Sequence, residues 1–378
     1  MARRVARAVC DSPPMEQMRP RIGNFATSAV AEERSNRASD GSLVLVEPPL
    51  DVDPESVRAR LCEIRTLFAE DIASVERDLS EAVRCGVSPA TDAAAHLLDA
   101  GGKRVRPLTV ILSAACFGPS NPAVRASAVV SELVHLATLL HDDVLDEGTE
   151  RRGKPASRML WGNAISVLTG DMLLTLALER TAREAPPDVL SELFVTLRRL
   201  VDGEILQLEG RAALSVDEPT YFRIARNKTA SLFEWAARAG AAAVNAPKAG
   251  RDALGEFGAR MGLAFQLVDD ALDYSGDART AGKALLADLT EGKLTLPLIR
   301  TLAERPSLHA DVRSSRDGDM EAAFRVADAV RDSGACAAVR ALAREESSRA
   351  LEPLETLPES PARNLLGAIA RELAARAS

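Results

Sequence analysis

An apolar residue recurring every three or four positions over most of the chain is the feature that most narrows what this sequence can fold into. From Val57 onward Leu61, Ile64, Phe68, Ile72, Val75 and Leu79 keep that spacing, which places them on one face of a helix. Similar stripes run over roughly 122–145, 163–184, 188–209, 218–244, 250–275, 291–304, 319–343 and 361–376. The short breaks between them, FGPSNP, EAPPD, NAPKAG and YSGD, carry the Gly, Pro and Asp residues that stop helices. A further helix should end at the Gly101–Gly102 pair, and Pro107 suits the first turn of the next. No βαβ rhythm is sustained. Aromatic residues make up only 3% of a chain that is 46% apolar, so the core must be built from Leu, Ala and Val. The expectation is an all-α fold, with one domain over 55–378 and a flexible leader over 1–54.

Charge and cysteine usage exclude several classes of function. The net charge is −8 and the isoelectric point is near 5.3, against a nucleic-acid partner, which calls for a basic stripe. The five cysteines, Cys10, Cys62, Cys85, Cys116 and Cys336, show no CxxC spacing, so neither a disulfide framework nor a zinc site is expected and a cytoplasmic location fits. No uninterrupted apolar run approaches membrane-spanning length, so no integral membrane segment is expected. The basic start MARRVARAVC lacks the apolar stretch of a secretory signal, and Asp11, Glu16, Glu32 and Glu33 are unusual in a transit peptide. Residues 1–54 read as a disordered leader, or as an over-long start ahead of Met15 or Met18.

Chemistry concentrates in two acidic motifs. HDDVLDE contains Asp142, Asp143 and Asp146, and FQLVDDALDYSGD contains Asp269, Asp270 and Asp273. Residues four apart lie one above the other on a helix, so Asp142 and Asp146 can aim two carboxylates at one place. One DDxxD arises by chance in ~8% of chains this long, two in roughly a few per thousand. A single motif is as easily a solvated helix face. Both motifs here sit in apolar stretches, where grouped carboxylates repel unless a cation neutralises them. Oxygen ligands without His or Cys favour magnesium, which binds through a few carboxylates plus substrate phosphates. Cations suited to phosphate are present as well. Lys103, Arg104 and Arg106 stand at a helix entrance, Arg151, Arg152 and Lys154 follow the first motif, and Lys228, Lys283 and Lys293 come later.

With these residues the chain resembles the trans-isoprenyl diphosphate synthases, the polyprenyl synthetase family. The segments that carry the resemblance are, in order, GGKRVRP, LLHDDVLDEGTERRGKP, GNAISVLTGDMLL, DGEILQLEG, KTASLF, GLAFQLVDDALDY and DLTEGKLTLPLI. The resemblance implies a bundle of about ten or more mostly antiparallel helices around a deep cavity, usually in a homodimer. It implies that Asp142, Asp146 and Asp269 are metal ligands supported by Asp143, Asp270 and Asp273, with about three magnesium ions per site when substrate is bound. Lys103, Arg106, His135 and Arg152 match positions that bind isopentenyl diphosphate. Arg151, Lys228, Thr229, Gln266, Lys283 and Lys293 match positions that serve the allylic diphosphate. His135 stands seven residues before Asp142, two turns along one helix face. His96 and His309 have no such support. Departures from the family pattern are Ala164 in place of a common Lys, Leu286 in place of a common Gly, and Asp202 in place of a frequent Glu.

The reaction implied is ionisation of the allylic diphosphate, condensation with isopentenyl diphosphate and loss of a proton, with released pyrophosphate taking the proton where no side-chain base stands out. Ala137 and Thr138, five and four residues before Asp142, lie about one turn deeper along the helix. In the family it resembles, bulky aromatic residues at these positions stop chain growth and small ones leave the tunnel open, so the resemblance implies a long-chain all-trans polyprenyl product, with peripheral membrane contact for its release. The competing readings are a short-chain geranylgeranyl or farnesyl diphosphate synthase, a terpene cyclase, a non-catalytic subunit of a heteromeric synthase, and a helical scaffold without ligand.

Overall fold

The computed structural model describes residues 66–274 and 286–376; the proposed leader, Cys10, Cys62 and Lys283 lie outside them. The described chain is all-α apart from one two-stranded ribbon. Its helices are α1 Ala69–Ala82, α2 Ala90–Asp99, α3 Val105–Ala115, α4 Pro122–Leu145, α5 Ser157–Glu184, α6 Pro187–Ala213, α7 Glu218–Ile224, α8 Ser231–Ala243, α9 Lys248–Leu272, α10 Ala287–Thr290, α11 Leu296–Glu304, α12 His309–Arg316, α13 Met320–Asp332, α14 Ala335–Arg349, α15 Leu351–Glu355 and α16 Pro361–Arg376. The ribbon pairs Glu150–Arg151 with Lys154–Pro155. Its two-residue turn places Arg152 at φ 53° and Gly153 at φ 76°, the both-positive geometry that suits a tight hairpin.

Local chemistry accounts for the helix ends. Asn121 accepts a hydrogen bond from the Val124 N–H at 3.0 Å, with Pro122 in the first turn of α4. Asp217 and Asp319 cap α7 and α13 in the same way. Two predicted stripes are subdivided and a third is shortened. The 218–244 stripe is interrupted by a π-helical stretch over Ala225–Ala230. The 319–343 stripe breaks at Gly334, which takes φ 76°. The 291–304 stripe becomes helical only at Leu296, because Gly292 takes φ 78° and Pro297 belongs in a first helical turn.

Helices α3 and α8 form the centre. One apolar cluster packs α1, α2, α4, α5 and α6 against Val110, Ile111 and Ala114 of α3 and Trp235 and Ala236 of α8. The other packs α9 and the C-terminal helices against Leu112 of α3 and Ala237 and Ala241 of α8. Each central helix is therefore apolar on two sides. By length and composition alone α4 and α5 could each cross a membrane. Most of α4 is buried in the bundle, whereas α5 leaves much of its apolar surface outside. Cys85, Cys116 and Cys336 are free thiols.

Candidate active site

The C-terminal end of α4 brings the first acidic motif to the wall of a cavity. Asp142 and Asp146 line it, one turn apart as their spacing requires. Asp142 Oδ2 lies 3.6 Å from Lys228 Nζ. Asp146 is nearly buried and meets Arg211 at 3.0 Å and Lys293 at 2.7 Å. Asp143 faces away from the cavity, buried, and accepts two hydrogen bonds from Arg151 at 2.6 and 2.9 Å. Burial raises its pKa, opposed by Arg151. Arg151 itself lines the cavity, so Asp143 anchors a cation at its rim.

Helix α9 supplies the opposite wall. Gln266 and Asp270 line the cavity. Tyr221 donates to Asp270 Oδ2 at 2.5 Å and Gln266 donates to Asp270 Oδ1 at 2.7 Å, while Thr229 donates to Gln266 Oε1 at 2.6 Å. Both carboxylate oxygens of Asp270 are thus engaged, and burial with nearby Asp288 pushes its pKa up to about 7. Asp269 is exposed on the neighbouring face of α9, where its charge favours the ionised guanidinium of Arg106. Asp273 turns toward the backbone N–H groups of Ala287 and Leu286, and burial followed by Asp288 brings its pKa to about 7. Leu286 holds φ 67° there, in the left-handed region that favours glycine.

The π-helical stretch carries Lys228 and Thr229 into the same cavity. Lys228 is clamped between Asp142 and Glu204, the latter at 2.5 Å. Lys293 enters from the segment before α11. Burial alone would lower its pKa, but Asp288, Asp146 and Glu291 more than reverse that, so it stays charged. Glu204, Gln207 and Arg211 recur on one face of α6 beside these groups, and the sequence reading gave none of them a role. Gln207 and Arg211 line the cavity. Burial, then Asp142 and Asp146, raise the pKa of Glu204 against the pull of Lys228. Their spacing of three and four within DGEILQLEGR is the signal that could have found them. Tyr221 and Asp288 also line the cavity; Tyr221 lies within the 218–244 stripe, where it reads as one more apolar position, and Asp288 lies ahead of the 291–304 stripe.

A second, basic cluster gathers beside the acidic one. Arg106 is inward-facing, stacked 4.6 Å over the Phe233 ring, and burial lowers its pKa to about 10 even though Glu132 and Asp269 oppose the shift. His135 is half-buried, and desolvation followed by Arg106, Arg152, Arg151 and Arg104 holds its pKa well below the usual imidazole value. Arg152, at the ribbon turn, and Lys103 are solvent-exposed. Ala137 is fully buried in the core, while Thr138 is half-buried and donates to the His135 carbonyl at 2.8 Å. His96 meets the Pro155 carbonyl at 2.9 Å, away from the cavity.

Comparison with known proteins bears directly on this arrangement. The polyprenyl synthetase family profile matches residues 88–330. The chain is 36% identical over 307 residues to the all-trans-nonaprenyl-diphosphate synthase (geranyl-diphosphate specific) of Rhodobacter capsulatus, covering 80% of this chain and 94% of the relative. It is 35% identical over 308 residues to heptaprenyl diphosphate synthase component 2 of Geobacillus stearothermophilus, covering 81% and 96%. In three dimensions it resembles a polyprenyl synthase from Caulobacter crescentus CB15 solved with calcium and isoprenyl diphosphate, with TM-score 0.79 and 35% identity over 84% of this chain and 98% of that one.

Proposed function

Because the chain belongs to the polyprenyl synthetase family and is a long-chain trans-polyprenyl diphosphate synthase, we propose that its two charged clusters divide the two substrates. Isopentenyl diphosphate binds at Lys103, Arg106, His135 and Arg152. The allylic diphosphate binds at Arg151, Lys228, Thr229, Gln266 and Lys293, with Lys283 assigned there on its sequence position. The observation that carries the allylic half of this reading is convergence: side chains from α4, α6, the π-helical stretch, α9 and the segment before α11 line one cavity, whereas Lys103, Arg106, His135 and Arg152 do not line it and their half rests on the basic cluster they form. It supports a coupling enzyme over a scaffold.

Magnesium fits the donor set. The acids facing the cavity, Asp142, Asp146, Asp270 and Asp288, offer only oxygen, the donor type magnesium takes. Such an ion keeps waters and shares its shell with diphosphate. Asp142, Asp146 and Asp269 are the proposed ligands. When bound, magnesium supplies positive charge that stabilises the departing diphosphate. The chain's own residues do the rest. Lys228, paired with Asp142 and Glu204, and Lys293, held charged by Asp288, Asp146 and Glu291, donate to diphosphate oxygens. Arg151, fixed by Asp143, adds a guanidinium at the rim. Arg106 and Arg152 orient the second diphosphate so that its double bond meets the allylic carbon. Neutral His135 can donate one hydrogen bond without adding to the crowded positive charge.

A cytoplasmic homodimer is part of the same proposal, supported by the free thiols and by the apolar surface that α5 and α6 leave outside. The word "component" in the name of the Geobacillus relative keeps a heteromeric assembly as the second reading. Purified protein given magnesium, labelled isopentenyl diphosphate and a series of allylic primers should yield long all-trans products by chromatography, and none with a chelator. A product series ending at geranylgeranyl length, or no turnover without a second protein, would redirect the proposal. Asp142→Ala should lower turnover by at least about a thousandfold with the helical spectrum unchanged; near-native activity would remove its assignment.

A further inference from the structure

We infer that Glu132 is a positioning residue for the isopentenyl diphosphate subsite, a buried carboxylate that holds Arg104 and so sets the loop bearing Lys103 and the first turn of α3 bearing Arg106. The inference rests on the substrate division proposed above. Arg104 precedes α3 with φ 51° and ψ 37°, a left-handed conformation that a non-glycine residue keeps only when its surroundings impose it. Its guanidinium supplies that constraint. It donates to Glu132 Oε1 at 2.8 Å, to Glu76 Oε1 at 2.7 Å and to the Leu98 carbonyl at 3.5 Å, so one side chain ties α4, α1 and the end of α2 together. A guanidinium does not shed its proton, so Arg104 keeps all its donors for this tie. Lys103 and Arg106 flank this fixed residue in sequence.

Glu132 is suited to no direct role. Its side chain is 3% exposed and does not line the cavity. A carboxylate close to an anion site should also repel the anion. Its position makes sense through the cations around it, because it favours the charged state of Arg104, Arg106 and Arg152 alike. Those cations are crowded. A Cβ on Gly102 would stand 2.7 Å from Arg104 Nη1 and 3.0 Å from Arg152 Nη1, so two guanidinium groups share the space over one glycine. Without an acid between them the groups would spread apart, and the diphosphate would have to gather them at the cost of its own affinity.

The test separates this role from plain folding support. Glu132→Gln should raise KM for isopentenyl diphosphate by about tenfold, with kcat and the allylic KM changed less than about twofold. Glu132→Asp, which keeps the charge, should recover most of the loss. An unchanged or lowered isopentenyl KM in Glu132→Gln would overturn the inference, as would equal rises in both KM values. Arg152→Ala in the same assay tests the underlying assignment. If it leaves the isopentenyl KM at the native value, the subsite itself is misplaced. If it raises that KM while Glu132→Gln does not, only the role of Glu132 fails. Should Glu132→Gln not fold, Glu76→Gln removes the half-exposed acid on the same guanidinium. It is expected to raise the isopentenyl KM about threefold, and a native value would overturn the inference.

Discussion

His135 stands two turns before Asp142 on α4, yet burial and four arginines have made it a different kind of group from the acids on the same helix. Its folded pKa is depressed, so the unfolded chain binds its proton more readily. The stability this residue contributes is complete above the unfolded value of 6.5 and is lost as pH falls below it. His135→Gln should therefore flatten the acid side of a plot of Tm against pH, leaving the neutral region little changed. A variant whose Tm falls between about pH 7 and 5 as steeply as the native protein's would show that His135 is not held neutral. The acids were only half legible. DDxxD spacing identifies which carboxylates share a helix turn, and Asp142 and Asp146 do share the cavity. Which neighbour of a DD pair faces inward depends on how the helix is rotated against its partners. That rotation turns Asp143 to Arg151 and Asp270 to Tyr221.

The π-helical stretch over Ala225–Ala230 is the element whose geometry matters most to the site, and it packs on a residue remote in sequence. A Cβ on Gly203 of α6 would lie 2.7 Å from the Lys228 backbone nitrogen and 3.0 Å from Asn227 Cβ, so the stretch rests directly on that glycine. Gly203→Ala should push Lys228 away from Asp142 and Glu204. It should cost about 1–3 kcal/mol of stability as overpacking and lower kcat/KM by roughly tenfold or more through misplacement. Native kinetics in a folded variant would show that the close approach is dispensable. Periodicity revealed the helix over 218–244 but could not reveal its bulge, because the apolar spacing is the same whether or not one turn is widened, and the contact with Gly203 spans two elements. It did place α4 correctly, and that carries a second prediction. Thr138 lies one turn from Asp142 and is half-buried, whereas Ala137 is fully enclosed in the core. Thr138→Phe should shift products to shorter chains by chromatography. Ala137→Phe should do so only with a drop in Tm, since a packed core resists added volume. Unchanged lengths in both would place the floor of the tunnel elsewhere.

At the scale of the whole molecule the unanswered physical question is what covers α5 and α6. Met159, Leu160, Val167 and Leu168 on α5 and Phe194, Val195, Val201 and Ile205 on α6 are all exposed, Leu168 at 59% and Val201 at 58%. Phe194, Val201 and Ile205 recur at spacings of seven and four, a single stripe. Soluble monomers seldom leave apolar surface of this kind in water, and a two-fold axis lets one such patch cover its own copy. The composition of the chain concealed this, because an apolar stripe that faces a partner subunit reads the same as one that faces the core. The homodimer predicts a sedimentation mass of twice the chain at micromolar concentration. Leu168→Glu combined with Phe194→Glu places like charges across the axis and should shift that mass to the monomer. The helical spectrum should survive, since neither side chain is part of the packed interior. If the native protein sediments as a monomer, the homodimer is excluded. If it does so and gains mass only with a second polypeptide, the stripe belongs to a heteromeric synthase.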